Sequence, residues 1–379
     1  MEPTQIGAYG SWAAGLTAGE LPALSFRRDD FPDVDAWREI ARRRALERMA
    51  PPEVAAPTEI ETVEALEHEG LAVERLRWRL PYGPPTEAVL LKPAGATGRL
   101  PGVVALHCHG GRKYWGQRKV ACWSERHPLM VAHHQQYYGG RAWANELARR
   151  GYVVLAPDAF TFASRRVRLD DVPESLRAGL AEPTDDDHDA IEAYNAWAGN
   201  HEHLMAKCLF SAGTTWPGVF LAEDRAALGV LAGRDDVDPD RLGCGGLSGG
   251  GLRTCMLGGL DPRIRCAVAA GFMSTWEDFL LNKAHTHTWM LYVPLLPREL
   301  DFPEILGLRA PAPTMVLNTT EDELYTLEHV RRAEKILREV FAKAGGADRL
   351  AFNLYGGPHK FDVPMQEDAF VWFDRWLKA

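Results

Sequence analysis

A serine in the second half of the chain lies in a glycine-rich segment whose pattern is typical of a nucleophile. The segment runs Asp238-Pro-Asp-Arg-Leu-Gly-Cys-Gly-Gly-Leu-Ser248-Gly-Gly-Gly251 and contains Gly-x-Ser-x-Gly centred on Ser248. A serine on a sharp strand-to-helix turn projects its hydroxyl above a sheet, and glycines two residues before and after it leave room for the turn. A phosphate-binding loop is also rich in glycine, but the Lys-Ser/Thr that ends such a loop is missing. The pattern therefore predicts nucleophilic catalysis by Ser248.

An acid and a base follow this serine in the order that a Ser-acid-His triad requires. Asp322 comes just after a late apolar run, and His359 comes just after the last one, in Tyr355-Gly-Gly-Pro-His. In this arrangement His359 takes the proton of Ser248, and Asp322 fixes the histidine tautomer and stabilises the imidazolium. Glu321 is the rival acid. Asp322 is preferred because its spacing from the preceding strand fits the pattern better.

A second glycine-rich loop is a candidate for stabilising the negative charge that develops during acyl transfer. It reads His107-Cys-His-Gly-Gly-Arg112 and follows a short apolar run. Such a hole uses two backbone N–H groups, one from the residue after the nucleophile and one from this loop. We therefore expect Gly249 and Gly111 to be the donors. Arg112 and Lys113 are candidates for binding an anionic substrate group, although a solvated surface position is the more common outcome for such cations.

The elements that must position these residues alternate along the chain. The region before 60 contains one predicted helix, Val34 to Met49, and a hairpin is predicted over 71–80 and 87–92. From 102 onward, short apolar runs alternate with amphipathic stretches, which predicts a mostly parallel sheet covered by helices on both faces. We therefore expect an α/β fold with a helical N-terminal extension over 1–60 and one catalytic domain over 61–379. Segments of about 112–140, 160–218 and 273–308 interrupt the alternation and are predicted to form a lid and a substrate pocket.

Composition restricts the class of partner. The chain has 379 residues, 46% hydrophobic and 25% charged, with a formal net charge of -9. An acidic surface argues against nucleic acid or an anionic membrane as the main partner. We find neither a signal-peptide pattern at the N-terminus nor roughly 20 consecutive apolar residues, so a cytoplasmic location is expected. A homo-oligomer remains an open alternative.

These motifs together resemble those of the α/β-hydrolase superfamily. The resemblance rests on the strand followed by His-Gly-Gly, Asp-Pro-Asp-Arg before the serine, Gly-Leu-Ser-Gly-Gly, the Thr-Glu-Asp turn and Gly-Pro-His-Lys-Phe. More narrowly, the chain is similar over about 70–379 to bacterial acetyl xylan esterase-like and dienelactone hydrolase-related esterases, although Ser248 replaces the cysteine nucleophile of dienelactone hydrolases proper. The resemblance implies cofactor-free hydrolysis of a small-molecule ester, such as an acetylated carbohydrate or a lactone, through an acyl-enzyme.

Two other functions remain as alternatives. His107 and His109 at a strand end are spaced as amidohydrolase barrels space two metal ligands, but no acid with metal-ligand spacing follows, and an eightfold βα pattern is missing. A peptide or amide hydrolase on the same fold is the second alternative. Within the insertions, three tryptophans are predicted either to line a substrate pocket or to pack the insertions onto the core: Trp115, Trp216 and Trp289.

Overall fold

The fold is built on a single large sheet. The computed structural model describes residues 4–17 and 21–378, and within them nine strands pair in the order β1-β2-β3-β5-β4-β6-β7-β8-β9. Strands β1, β2, β3 and β5 pair in antiparallel fashion, and β5, β4 and β6 to β9 in parallel. The strands are β1 Ile60–His68, β2 Leu71–Trp78, β3 Thr86–Pro93, β4 Leu100–Leu106, β5 Val153–Pro157, β6 Val237–Leu247, β7 Ile264–Ala270, β8 Thr314–Thr319 and β9 Leu350–Tyr355.

Helices cover both faces of this sheet, which confirms the predicted α/β class. A hydrophobic core lies on each face of the sheet, and successive residues of β4 alternate between the two cores. Val104 and Leu106 pack on one face, and Val103 and Ala105 pack on the other. A strand buried on both faces reads as a continuous apolar run, and for that reason the strand was recognisable in the sequence. The helices are α1 Gly10–Gly15, α2 Val34–Met49, α3 Pro128–Tyr138, α4 Trp143–Arg149, α5 His188–Ala212, α6 Trp216–Ala232, α7 Gly249–Leu260, α8 Leu296–Glu299, α9 Phe302–Gly307, α10 Leu327–Lys343 and α11 Val363–Leu377.

The carboxyl ends of the parallel strands meet along one edge of the sheet. Leu106 of β4 pairs with Gly246 of β6, and Leu247 of β6 pairs with Ala270 of β7. Farther across the sheet, Thr319 of β8 pairs with Tyr355 of β9. The residues that follow these strands therefore gather at the same edge. This is the edge at which open α/β sheets bind ligands.

The N-terminal helix α2 has the bounds that the sequence predicts, and it packs into the same core as the sheet. The side chain of Asp33 caps its first turn by accepting from the backbone N–H groups of Asp35 and Ala36. Four residues at a spacing of four are fully buried against that core: Trp37, Ala41, Ala45 and Met49.

The three predicted insertions contain helices of their own. Helix α3 lies in the first, the long α5 in the second, and α8 and α9 in the third. Of the helices in residues 4–17 and 21–378, none has the length and apolar character needed to cross a membrane.

Candidate active site

Ser248 lies on the sharp turn between β6 and α7, as the sequence predicts. Its backbone angles are φ 59° and ψ −120°, in a region that non-glycine residues seldom occupy. A Cβ on Gly246 would lie 2.1 Å from the carbonyl oxygen of Leu106, and one on Gly250 would lie 2.0 Å from the same atom. Only glycine therefore fits at these two positions, because the turn brings both against β4. Strained backbone of this kind is maintained where the surrounding structure fixes it, often at functional sites.

His359 and Asp322 form a hydrogen-bonded pair beside this turn. The Nδ1 atom of His359 lies 2.6 Å from Oδ2 of Asp322, whose Oδ1 accepts from the Leu324 N–H at 3.0 Å. Since the carboxylate can only accept, Nδ1 carries the proton and Nε2 keeps the lone pair. The Nε2 atom is buried and has no partner among the described residues. Glu321, the rival acid, is exposed.

One cavity of about 210 Å³ brings the serine and the histidine together. Its apolar lining comes from Leu247, Phe272, Met290, Leu291 and Leu324. The polar residues of its lining include Tyr137, Thr286, His287 and Thr288. We call these four polar residues the polar wall of the cavity. Two of its buried side-chain atoms, Nε2 of His287 and Oγ1 of Thr288, have no hydrogen-bond partner among the described residues. The wall therefore leaves two polar groups for a bound molecule to satisfy.

The hydrogen bonds of the loop after β4 contradict the prediction that the Gly111 N–H is a donor of the oxyanion hole. The Gly111 N–H donates to Nδ1 of His109 at 3.0 Å, so it is already engaged. The backbone nitrogen of His109 lies much closer to the turn at Ser248, since a Cβ on Gly249 would be 3.0 Å from that nitrogen. Gly249 is the first residue of α7, where backbone N–H groups have no partner within the helix. The structure thus favours the N–H groups of Gly249 and His109 as the pair that faces the cavity.

Buried charges hold the His109 side chain in place. Its Nε2 lies 2.9 Å from Oε1 of Glu202, which also accepts from Nζ of Lys113 at 2.5 Å. Burial alone would raise the pKa of Glu202, but the Lys113 ammonium and the His109 N–H outweigh burial and lower that pKa to about 2. Burial lowers the pKa of His109, so its ring is neutral, with Nδ1 accepting from Gly111 and Nε2 donating to Glu202.

The four candidate substrate-binding residues lie outside the lining of this cavity. Arg112 forms an ion pair with Glu192. Trp115 is only 3% exposed and packs on Tyr114. Trp216 is 1% exposed within the main core, and the exposed Trp289 packs its ring against Phe210. None of the four therefore lines the cavity of Ser248, and of the two roles predicted for the tryptophans the structure favours packing. Trp115 and Trp216 are buried, which removes a large apolar surface from water.

The metal alternative does not fit this architecture. The chain forms an open sheet rather than an eight-stranded barrel. His107 and His109 have different partners, the carbonyl oxygen of Cys108 and the carboxylate of Glu202. Over residues 4–17 and 21–378, no group of three or more His, Cys, Asp or Glu residues is placed to hold a metal ion.

Sequence reasoning missed the polar wall and the buried ion pair. His287 belongs to the pattern His285-Thr-His287, but nothing in that pattern indicates that His287 lines the cavity of Ser248. Glu202 had no signal in the sequence, and Lys113 was expected at the surface, because a charged residue on a helix or loop is more often solvated than buried. The structure instead buries Lys113 in an ion pair with Glu202.

Comparison with known proteins agrees with this architecture. No protein-family model matches the chain. The chain is 27% identical over 324 residues to the Bacillus subtilis (strain 168) protein named "Putative hydrolase YtaP", covering 85% of this chain and 93% of that protein. It is similar to the structure of a "putative acetyl xylan esterase" from Bacteroides fragilis, with a TM-score of 0.69, 18% identity, and 93% and 84% of the two chains covered. A glucuronoyl esterase from Solibacter usitatus gives a TM-score of 0.60 at 15% identity, covering 94% and 98%.

The strand order, the turn at the serine and these structural neighbours agree with one another. At such low identities the likeness to solved structures establishes architecture. The chain therefore has the α/β-hydrolase fold, with Ser248, His359 and Asp322 gathered at the carboxyl edge of its sheet.

Proposed function

We propose that this protein is a serine hydrolase that cleaves a small carboxylic ester. The observation that carries the proposal is the 2.6 Å contact between Nδ1 of His359 and Oδ2 of Asp322, beside the same cavity as the strained Ser248. A histidine whose tautomer is fixed by a buried carboxylate is prepared to act as a general base through its other nitrogen. The names of the similar proteins, a hydrolase and two esterases, support the same reaction class.

The reaction begins when Oγ of Ser248 attacks the carbonyl carbon of the ester. Nε2 of His359 accepts the serine proton, and the imidazolium that forms is stabilised by Asp322. The same nitrogen then donates this proton to the departing alcohol, which leaves an acyl group on Ser248. A water molecule, deprotonated by His359, attacks the acyl carbon and releases the carboxylic acid.

Two backbone N–H groups stabilise the tetrahedral intermediates. Gly249 contributes the first from the start of α7, where the helix dipole also favours negative charge. His109 contributes the second, because its nitrogen lies beside Gly249 and the Gly111 N–H is engaged. Each donor of this kind is typically worth about a hundred- to a thousand-fold in rate.

The size and the polar lining of the cavity favour a substrate with a short acyl group and nearby hydroxyl groups. A volume of about 210 Å³ suits a small ester better than a long acyl chain. His287 Nδ1 lies 3.0 Å from the carbonyl oxygen of Lys283, so Nδ1 donates there and Nε2 is left as an acceptor. Together with the hydroxyl of Thr288, this acceptor suits an alcohol group of the substrate. An acetylated carbohydrate has both features, and other small esters or lactones remain within the proposal.

Ester hydrolysis by wild type and by Ser248→Ala tests the proposal. p-Nitrophenyl esters of increasing acyl length, an acetylated xylose and a p-nitroanilide are assayed, with the exposed Ser124→Ala as a matched control. We expect turnover of acetyl and other short esters, loss of that turnover in Ser248→Ala, and normal turnover in Ser124→Ala. Unchanged ester hydrolysis by a folded Ser248→Ala variant would reject the proposal. Faster cleavage of the anilide than of the esters would assign the site to amide hydrolysis.

A further inference from the structure

A fully buried lysine lies behind the loop that follows β4. Lys119 has 0% of its surface exposed, and its Nζ donates to the carbonyl oxygens of Cys108 at 3.0 Å and of His109 at 2.8 Å. The same ammonium lies 4.4 Å from the ring centre of Phe162. Within the part of the chain that the structure describes, Lys119 forms no salt bridge, whereas the neighbouring buried Lys113 is paired with Glu202. Burial of a cation without a carboxylate partner is costly, so its contacts with the two carbonyls need a physical explanation.

The geometry of the peptide unit supplies that explanation. In a planar trans peptide the C=O of one residue and the N–H of the next point in opposite directions. Since the carbonyls of Cys108 and His109 both point to Lys119, the N–H groups of His109 and Gly110 point away from it. Neither N–H donates to a protein acceptor among the described residues. The His109 nitrogen lies beside Gly249, and Gly249, His109 and Gly110 all line the cavity of Ser248.

We infer that Lys119 is a positioning residue for transition-state stabilisation in this enzyme, an inference that rests on the function proposed above. By donating to the two carbonyls, its Nζ fixes the orientation of the peptide units between Cys108 and Gly110 and turns their N–H groups toward the developing oxyanion. These hydrogen bonds also polarise the peptide units, because hydrogen bonds in a chain strengthen one another. Lys119 itself makes no contact with the substrate and transfers no proton.

A kinetic comparison tests this role once ester turnover that depends on Ser248 has been established. In Lys119→Met, we expect kcat for p-nitrophenyl acetate to fall by about 10- to 100-fold while KM changes less than about threefold. The effect falls on kcat because the oxyanion contacts are made only in the transition state. Lys119→Arg keeps donors for both carbonyls and should recover at least part of the lost kcat. If wild type shows no such turnover, the proposed function fails first, and the two failures are therefore distinguishable.

A second buried cation provides a matched control. Arg309 is 4% exposed and donates to the carbonyl oxygens of Gly258 at 3.2 Å and Ile264 at 3.0 Å, near the start of β7 and so at the opposite edge of the sheet. Arg309→Met should lower the free energy of unfolding without changing kcat. A folded Lys119→Met variant with wild-type kcat would overturn the inference, and so would an equal loss of kcat in Arg309→Met.

A structure of wild type with a phosphonate bound to Ser248 keeps the inference testable if the Lys119 variants do not fold. We expect the phosphoryl oxygen to lie about 2.7–3.1 Å from the backbone nitrogens of Gly249 and His109, with Lys119 still bound to the two carbonyls. A phosphoryl oxygen held by the Gly111 nitrogen, or a Lys119 released from the carbonyls, would overturn it.

Discussion

Glu202 offers a quantitative test of the buried network behind the active-site loop. In Glu202→Gln the side chain keeps its size but loses the charge that partners Lys113, which is 1% exposed. The pKa of Glu202 falls from an ordinary 4.5 to about 2 in the folded protein. At about 1.4 kcal/mol per pKa unit, this lowering corresponds to about 3 kcal/mol of stability near pH 7. Removing one partner of a buried ion pair typically costs a similar amount, about 3–5 kcal/mol.

The pH dependence of this stability has a definite sign. A carboxylate whose folded pKa is lowered stabilises the protein above its unfolded pKa, and the stabilisation is lost as pH falls from 4.5 toward about 2. The difference in the free energy of unfolding between wild type and Glu202→Gln should therefore be about 2 kcal/mol smaller at pH 3 than at pH 7.

Urea-induced unfolding of both proteins at several pH values measures this difference. Glu334→Gln, which removes a solvent-exposed ion pair with Arg338, is the control and should cost less than about 0.5 kcal/mol. Equal stability of wild type and Glu202→Gln at pH 7 would refute the reasoning. A difference that stays constant from pH 7 to pH 3 would also refute it, because the loss would then not come from the ionised carboxylate.

Three further predictions concern the triad, the turn and Lys119. Asp322→Asn should lower kcat for ester hydrolysis by about 10⁴-fold, since an amide favours the wrong histidine tautomer. Thermal unfolding should show little loss of stability. A decrease in kcat of less than about tenfold would contradict this prediction. Gly250→Ala should destabilise the protein by several kcal/mol in urea unfolding, because its Cβ would lie 2.0 Å from the carbonyl oxygen of Leu106; wild-type stability would contradict that close approach. Burial lowers the pKa of Lys119 from 10.5 to about 7, so wild type should gain stability over Lys119→Met as pH rises from 7 to 10.5, by at most about 1.4 kcal/mol per pH unit. A difference that does not change over this range would contradict the shift.

Local patterns in the sequence were sufficient to predict most strands of the sheet. Strands such as β7 and β9 lie where short apolar runs alternate with amphipathic stretches, because residues buried on both faces of a sheet form such runs. The turn at Ser248 was predictable because its glycines are a local steric requirement. Strand β1 was missed because most of its residues are exposed and lack an apolar alternation.

Features that depend on distant contacts were not predictable in the same way. His109 and Glu202 are 93 positions apart, so nothing local indicates that they form a pair. The N–H of Gly111 was expected to be free, but a tertiary arrangement fixes the His109 ring as its acceptor. Trp216 was considered as a pocket residue, and its burial in the core involves Phe160, which lies in an earlier segment of the chain.

Labelling with a fluorophosphonate probe tests the central claim most directly, because the probe reacts with an activated serine whatever the natural ester is. Wild type, Ser248→Ala and His359→Ala are compared by intact mass, and the adduct is mapped by peptide mass spectrometry. We predict one adduct on Ser248 in wild type, none in Ser248→Ala, and strongly slowed labelling in His359→Ala. A folded wild-type protein that forms no adduct, or an adduct on another residue that persists in Ser248→Ala, would contradict the assignment of Ser248 as the nucleophile.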